Sequence, residues 1–155
     1  MPTLATAINS VRSQTHKADE IIVVDDGSKD ATSEVAKNFE QVTLLRQKEM
    51  GHFSACNNGV MMAEHSWIAF LDAKNSWANE KLQKHLAFHK NSPQEKASVY
   101  VKGQVLTLQE ALALGRVERS DVMVEKALFE RLGGFDEAFE ILEDDELWMR
   151  VIATV

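Results

Sequence analysis

Three segments concentrate carboxylates and glycines, and each could bind or activate a polar substrate. In the first, Val23-Val24-Asp25-Asp26-Gly27-Ser28, followed by Asp30 and Thr32, an apolar run stops at two acids and a glycine. That order makes a tight turn in which Asp25 or Asp26 accepts hydrogen bonds from a base or ribose. The alternative is that these residues only cap the next helix. The second is Phe70-Leu71-Asp72-Ala73-Lys74-Asn75-Ser76-Trp77. A carboxylate at the end of a central strand is a common way to hold a hard divalent ion that bridges a diphosphate. Lys74, two residues on, cannot ligate a metal while protonated, but it can set its own charge against a phosphate. The alternative makes Asp72 a turn residue and Lys74 part of a solvated loop. The third is Gly133-Gly134-Phe135-Asp136-Glu137, then Glu143-Asp144-Asp145-Glu146-Leu147-Trp148. Four consecutive acids at the start of a helix gain from its dipole, a capping role. Crowding them onto one turn is also the environment that a general base exploits.

Other reactive side chains are less suggestive. Of the histidines His16, His52, His65, His85 and His89, only His85 and His89 share a helical face. Their spacing could serve zinc only with a third ligand, and none is in view, so packing is expected. Cys56 has no base near it in sequence and reads as a small buried residue. Trp67, Trp77 and Trp148 read as packing residues, with Trp77 also placed to wall a ligand site beside Asp72.

The elements that must position these groups alternate in type. Leu4, Ile8 and Val11 predict a helix over residues 4 to 15. Ile21 to Val24 predicts a strand buried on both faces, and Ser28 and Asp30 offer N-cap oxygens for a helix through Phe39. A strand follows at Val42 to Leu45, then a helix from Gly51 to about Ala63, a strand at Trp67 to Leu71, and a helix over residues 78 to 90 with Leu82, Leu86 and Phe88 or His89 inward. Beyond the polar loop at Asn91 to Lys96, strands are expected at Ala97 to Val101 and Val122 to Val124. Helices are expected at Leu108 to Leu114 and from about Glu143, with Leu147 and Val151 on one face. Alternation of this kind implies an α/β fold with a mostly parallel sheet covered on both sides. Ligands in such folds bind at the carboxyl ends of the strands, where the acidic clusters fall.

Composition narrows the functional classes. The 155 residues, 45% hydrophobic and 26% charged, predict one domain with one core. With 17 basic against 24 acidic residues, net charge −7, nucleic acid and anionic membrane are not expected as main partners. No run approaches a membrane span and no leader is visible. Together with a single cysteine, this predicts a soluble protein in a reducing, cytoplasmic setting.

Taken in order, the clusters resemble the inverting, nucleotide-sugar-dependent glycosyltransferases of family 2. Glu20 to Ser28 with Asp30 and Thr32 is similar to that family's nucleotide-binding strand and turn, and Gly51 with Ser54 to Gly59 to the segment that follows it. Ala69 to Ala73 is similar to the approach to its Asp-x-Asp metal motif. Gly133 to Glu137 and Glu143-Asp144 through Leu147 and Arg150 are similar to its acceptor-side loop and Glu-Asp motif. The resemblance implies a three-layer α/β/α GT-A sandwich forming a single domain over residues 1–155. It implies a donor held by Asp25, Asp26, Gly27, Ser28, Asp72 and Lys74, and an acceptor side of Gly134, Phe135, Asp136 and Glu143. Asp144 would be the base that deprotonates a hydroxyl acceptor, a sugar or lipid-linked sugar. Manganese or magnesium would sit on Asp72, with Lys74 standing where the second metal carboxylate is usual. Cys56 replaces the family's usual arginine, and the family's usual first strand and C-terminal extension are not seen. The sheet would then expose an edge to pairing with another chain, a route to homo-oligomers. A non-catalytic relative that binds nucleotide or a protein partner is the alternative.

Overall fold

The computed structural model describes residues 3–115, 117–138 and 145–153. The order is α1 (Leu4–Arg12), β1 (Ile21–Asp26), α2 (Thr32–Lys37), β2 (Val42–Gln47), α3 (His52–Met62), β3 (Trp67–Ala69), α4 (Lys81–Asn91), β4 (Ala97–Val101), β5 (Gln104–Thr107), α5 (Leu108–Leu114), a 3₁₀ turn (Arg119–Asp121), β6 (Val122–Glu125), α6 (Lys126–Arg131) and α7 (Asp145–Ala153). Every expected strand is present. Strand β5 and helix α6 are additions.

The local chemistry explains most boundaries. Thr3 caps α1 by accepting from the Thr6 amide at 3.2 Å, and Ala7, Ile8 and Val11 are its buried face. Thr107 and Glu110 form a reciprocal capping box at α5. Strands β4 and β5 are joined by Lys102 and Gly103, both at positive φ, the conformation a two-residue hairpin turn requires. The N-cap expectation for α2 is not met, because the cap position is Ala31, which has no capping side chain. Asp30 accepts from the Thr32 amide at 2.9 Å, whereas the Ser28 amide turns back to Asp25.

The expectation of a mostly parallel sheet needs correction. Strands β1 and β2 pair in parallel, Ile21 opposite Val42 through Asp26 opposite Gln47. The other four form a separate sheet in the order β3-β6-β4-β5, and each of its pairings is antiparallel. Strand β6 runs back between β3 and β4, and the β4–β5 hairpin is antiparallel by construction. Strand β1 also departs from expectation: Ile21 to Val24 are half-buried. Only one of its edges is paired, and the other lines a cavity of about 820 Å³ that is also lined by β3 and by α1.

The main core lies on the four-stranded sheet. In β4, Ala97 and Val99 join a cluster with Leu108, Val122, Val124 and Trp148. Ser98, between them, meets His85 and His89 of α4. Successive side chains of a strand point to opposite faces, so helices cover both sides of this sheet in an α/β/α arrangement. Phe135 stacks on Phe53 with centroids 4.9 Å apart and meets Trp148 edge-on at 5.7 Å.

Candidate active site

The first acidic turn is built from inside. Asp25 is 2% exposed. Its Oδ1 accepts from the Ser28 amide at 2.8 Å, its Oδ2 from the Ser33 hydroxyl, and Arg46 Nε lies 3.5 Å from Oδ2. Burial pushes the Asp25 carboxyl up, but the hydrogen bonds from Ser33 and Ser28 and the Arg46 charge outweigh it. The net result lies below the ordinary value. Asp26 accepts from Gln47 Nε2 and the Met50 amide, both at 2.8 Å, and from the Gly51 amide at 3.0 Å. It too is driven up by burial and, more strongly, down by those donors and by His52. Both carboxylates therefore stay charged and hold the turn in shape.

Gly27 completes the turn at φ +77°, where a Cβ would stand 2.8 Å from the Glu49 amide nitrogen. Only glycine passes there without displacing backbone. Asp25, Asp26 and Ser28 line the same cavity as Asp72.

The second turn follows β3. The half-buried Asp72 accepts from the Lys74 amide at 3.0 Å, and the Asn75 amide donates to the Asp72 carbonyl at 2.9 Å. Lys74 is exposed. Trp77, 9% exposed, closes the turn and lines the cavity as well. No group of three His, Cys, Asp or Glu that could hold a metal is present among the described residues. Asp72 with a ligand's diphosphate oxygens nevertheless meets the donor set that magnesium accepts, one or two carboxylates completed by phosphates and water.

The third cluster divides. Gly134 is buried at φ +69°, and a Cβ there would lie 2.4 Å from Asn57 Oδ1. Phe135 is 3% exposed and packs in the aromatic core. The resemblance put this residue on the acceptor-side loop; its ring faces the core. Asp136 is exposed and accepts from the Ala138 amide. Arg150 of α7 donates to the Gly134 carbonyl at 2.7 Å and to Glu146 Oε2 at 2.9 Å. The expected base Asp144 and its neighbour Glu143 lie outside the described residues. Leu147 and Val151 are buried together, as their spacing predicts.

Sequence reasoning missed the connectors. Asn58 donates to Gln47 Oε1 at 2.6 Å, and Gln47 passes the contact on to Asp26. Its neighbour Asn57 donates to the Phe135 carbonyl and accepts from the Phe135 amide, both at 2.9 Å. The doubled asparagine on α3 thus ties the first turn and the third to one helix, and the amide pair itself was the available signal. Arg119 lines the cavity and lies over the Phe135 ring at 5.8 Å. No sequence pattern marked it. Cys56, half-buried, lines the cavity and packs against the core.

Comparison with known proteins gives the family and the fold. The model of the family described as "Glycosyl transferase family 2" matches residues 1–121. An uncharacterized glycosyltransferase of Nostoc sp. is 38% identical over 86 residues, which are 52% of this chain and 27% of that protein. Among solved structures, S. aureus TarS 1–349 in complex with UDP superposes with TM-score 0.79 at 18% identity, covering 96% of this chain and 51% of the other. The mannosyltransferase PcManGT of Pyrobaculum calidifontis, in complex with GDP-Man and Mn²⁺, gives TM-score 0.76 at 20% identity, covering 93% and 46%. The two solved structures share the fold, and this chain spans about half of each.

Proposed function

Because this chain belongs to glycosyl transferase family 2, we propose that it carries the donor half of a transferase that moves a sugar from a nucleoside diphosphate to a hydroxyl acceptor, with inversion. The observation that carries this reading is the convergence of two turns on one cavity. The Asp25-Asp26-Gly27-Ser28 turn and the Asp72 turn follow β1 and β3, both line the same space of about 820 Å³, and carboxyl ends of strands are where α/β sheets bind ligands. That two superposable structures hold UDP in one case and GDP-Man with Mn²⁺ in the other supports a nucleoside diphosphate as the ligand class.

In this reading Asp25 and Asp26 shape the turn against which the nucleoside lies, and Gly27 and Ser28 bring backbone close to it. Asp72 faces the ribose or the diphosphate. Lys74 supplies a positive charge where charge develops on the departing diphosphate. A divalent ion, held by Asp72 and the phosphate oxygens, would add neutralisation of the same charge. Asp144 takes the proton of the acceptor hydroxyl. The acceptor oxygen then bonds to the anomeric carbon from the face opposite the leaving group, while the bond to the diphosphate oxygen breaks and its electron pair leaves with the nucleoside diphosphate. Gly134, Asp136 and Glu143 belong to the acceptor side, with Gly134 contributing backbone only.

Two further parts of the reading concern setting. No helix among the described residues is long and apolar enough to cross a membrane, and the lone Cys56 fits a reducing cytoplasm. An exposed sheet edge is where a strand of a second copy would pair. Light scattering should then show a concentration-dependent dimer, and a monomer at every concentration would remove that contact.

The direct test of the reaction is Asp144→Asn. It should abolish sugar transfer while leaving UDP or GDP affinity within about twofold, because the base touches only the acceptor. Unchanged turnover would overturn the assignment.

A further inference from the structure

Helix α4 buries a polar face that the proposed chemistry does not use. Lys81 is 1% exposed and His85 0%. Lys81 Nζ lies 3.0 Å from His85 Nε2, His85 Nδ1 2.7 Å from Ser98 Oγ, Ser98 Oγ 2.7 Å from His89 Nε2, and His89 Nδ1 3.1 Å from the Glu95 carbonyl. The directions follow from the far end. A carbonyl only accepts, so His89 Nδ1 carries the proton and its Nε2 accepts from the Ser98 hydroxyl. Ser98 Oγ then accepts from His85 Nδ1, and His85 Nε2 accepts from Lys81. Burial keeps both rings neutral, as this chain requires. His85, Ser98 and His89 each donate once and accept once, and Lys81 is tied to the end of this chain.

That end lies against the second turn of the site. Lys81 Nζ sits 4.6 Å from the Trp77 ring centroid, and its charged form is attracted to Asp121. Trp77 Nε1 donates to the Ser120 carbonyl at 2.9 Å. Ser120, 6% exposed, then presents its hydroxyl oxygen to the Asp72 amide at 3.0 Å and to Asn75 Nδ2 at 2.9 Å. One residue is gripped from behind through its carbonyl and grips the Asp72 to Asn75 turn through its side chain.

We propose that Ser120 is the positioning residue that fixes the Asp72 turn for donor binding, with Trp77, seated on Lys81, as its backing. The donor part of this statement rests on the reading that Asp72 faces the nucleotide. Ser120 does not touch the reacting atoms. It acts by keeping the Asp72 amide and the Asn75 carboxamide paired, so that the turn does not have to be ordered when the ligand arrives.

The test uses Ser120→Ala, Ser120→Thr and Trp77→Phe, with two measurements at a temperature where each variant is fully folded. The first is hydrogen exchange of the Asp72 amide without nucleotide. The second is the Kd for whichever of UDP or GDP the unaltered protein binds. Ser120→Ala should accelerate Asp72 exchange and raise Kd, each by about tenfold or more, the effect of losing the two hydrogen bonds that its hydroxyl accepts from the turn. Ser120→Thr, which keeps the hydroxyl, should return both to within about threefold. Trp77→Phe, which keeps the ring but loses the N–H, should shift both in the same direction as Ser120→Ala, and it serves if that variant does not fold. Unchanged Asp72 exchange in the folded Ser120→Ala or Trp77→Phe protein would overturn the positioning role. So would a Kd that stays the same while exchange rises. If the unaltered protein binds neither nucleotide, the donor reading fails, and the exchange measurement still decides whether Ser120 holds the turn.

Discussion

The Asn57 carboxamide brackets the backbone of Phe135, accepting from its amide and donating to its carbonyl at 2.9 Å each. These two bonds span 78 residues of sequence and fix the Gly133-Gly134 turn against α3. Arg150 grips the same turn from the other side through the Gly134 carbonyl. The Gly133-Gly134 turn is therefore pinned between two helices.

Asn57→Ala should cost about 2 kcal/mol, one hydrogen bond's worth for each partner left without its mate. Urea denaturation should show a lower midpoint at unchanged slope. A loss under about 0.5 kcal/mol, the range of an ordinary surface change, would mean that the turn is held without Asn57.

The glycines should separate into two classes. Gly103→Ala meets open space at φ +83° and should cost about 1 kcal/mol of backbone strain. Gly27→Ala adds a backbone clash with Glu49, and should cost at least about 1 kcal/mol beyond that. Thermal melts of the two variants check the order, and equal losses would remove the close approach from the account of the first turn.

Acid should act through the first turn. The hydrogen-bonded carboxyls of Asp25 and Asp26 titrate below their ordinary 3.8 in the folded protein. The unfolded chain then binds the extra protons, so their contribution is complete above about pH 4 and is lost as pH falls through the folded values. Urea midpoints from about pH 6 down to about pH 2 should fall, and Asp25→Asn should flatten the decline.

How much of this was legible beforehand differs by element. The apolar runs at Ile21, Val42, Trp67 and Val122 marked their strands because short apolar runs bounded by polar residues favour extended backbone. Their pairing was not legible, because strand direction is set by the return of β6 between β3 and β4, a long-range event with no local mark. The acidic turns were found from composition and order, and the structure brings the first two to one cavity. Their supports, Gln47, Asn57, Asn58 and Ser120, are ordinary polar residues whose role appears only when distant segments meet. Helix α4 shows the limit of hydrophobic periodicity. Lys81, His85 and His89 recur every four residues on its buried face; the shared face of the two histidines was legible from their spacing, whereas Lys81 was not, because a lysine ordinarily faces solvent.

The same buried face should give an alkaline signature. Burial lowers Lys81 in the folded protein to about 7, from 10.5 when unfolded. Between those values the unfolded chain binds more protons, so stability should rise with pH, by at most about 1.4 kcal/mol per pH unit. Lys81→Met should remove the rise. A stability that falls or stays flat over that window in the unaltered protein would mean that Lys81 is not desolvated as the fold implies.

The central claim is that the cavity between the Asp25 and Asp72 turns binds a nucleoside diphosphate, and calorimetric titration with UDP and GDP, with and without Mn²⁺, tests it most directly. The account predicts saturable binding of at least one of them that Asp72→Ala weakens by about tenfold or more, the loss of a charged contact. Absence of binding by either nucleotide at millimolar concentration, with or without the metal, would contradict it.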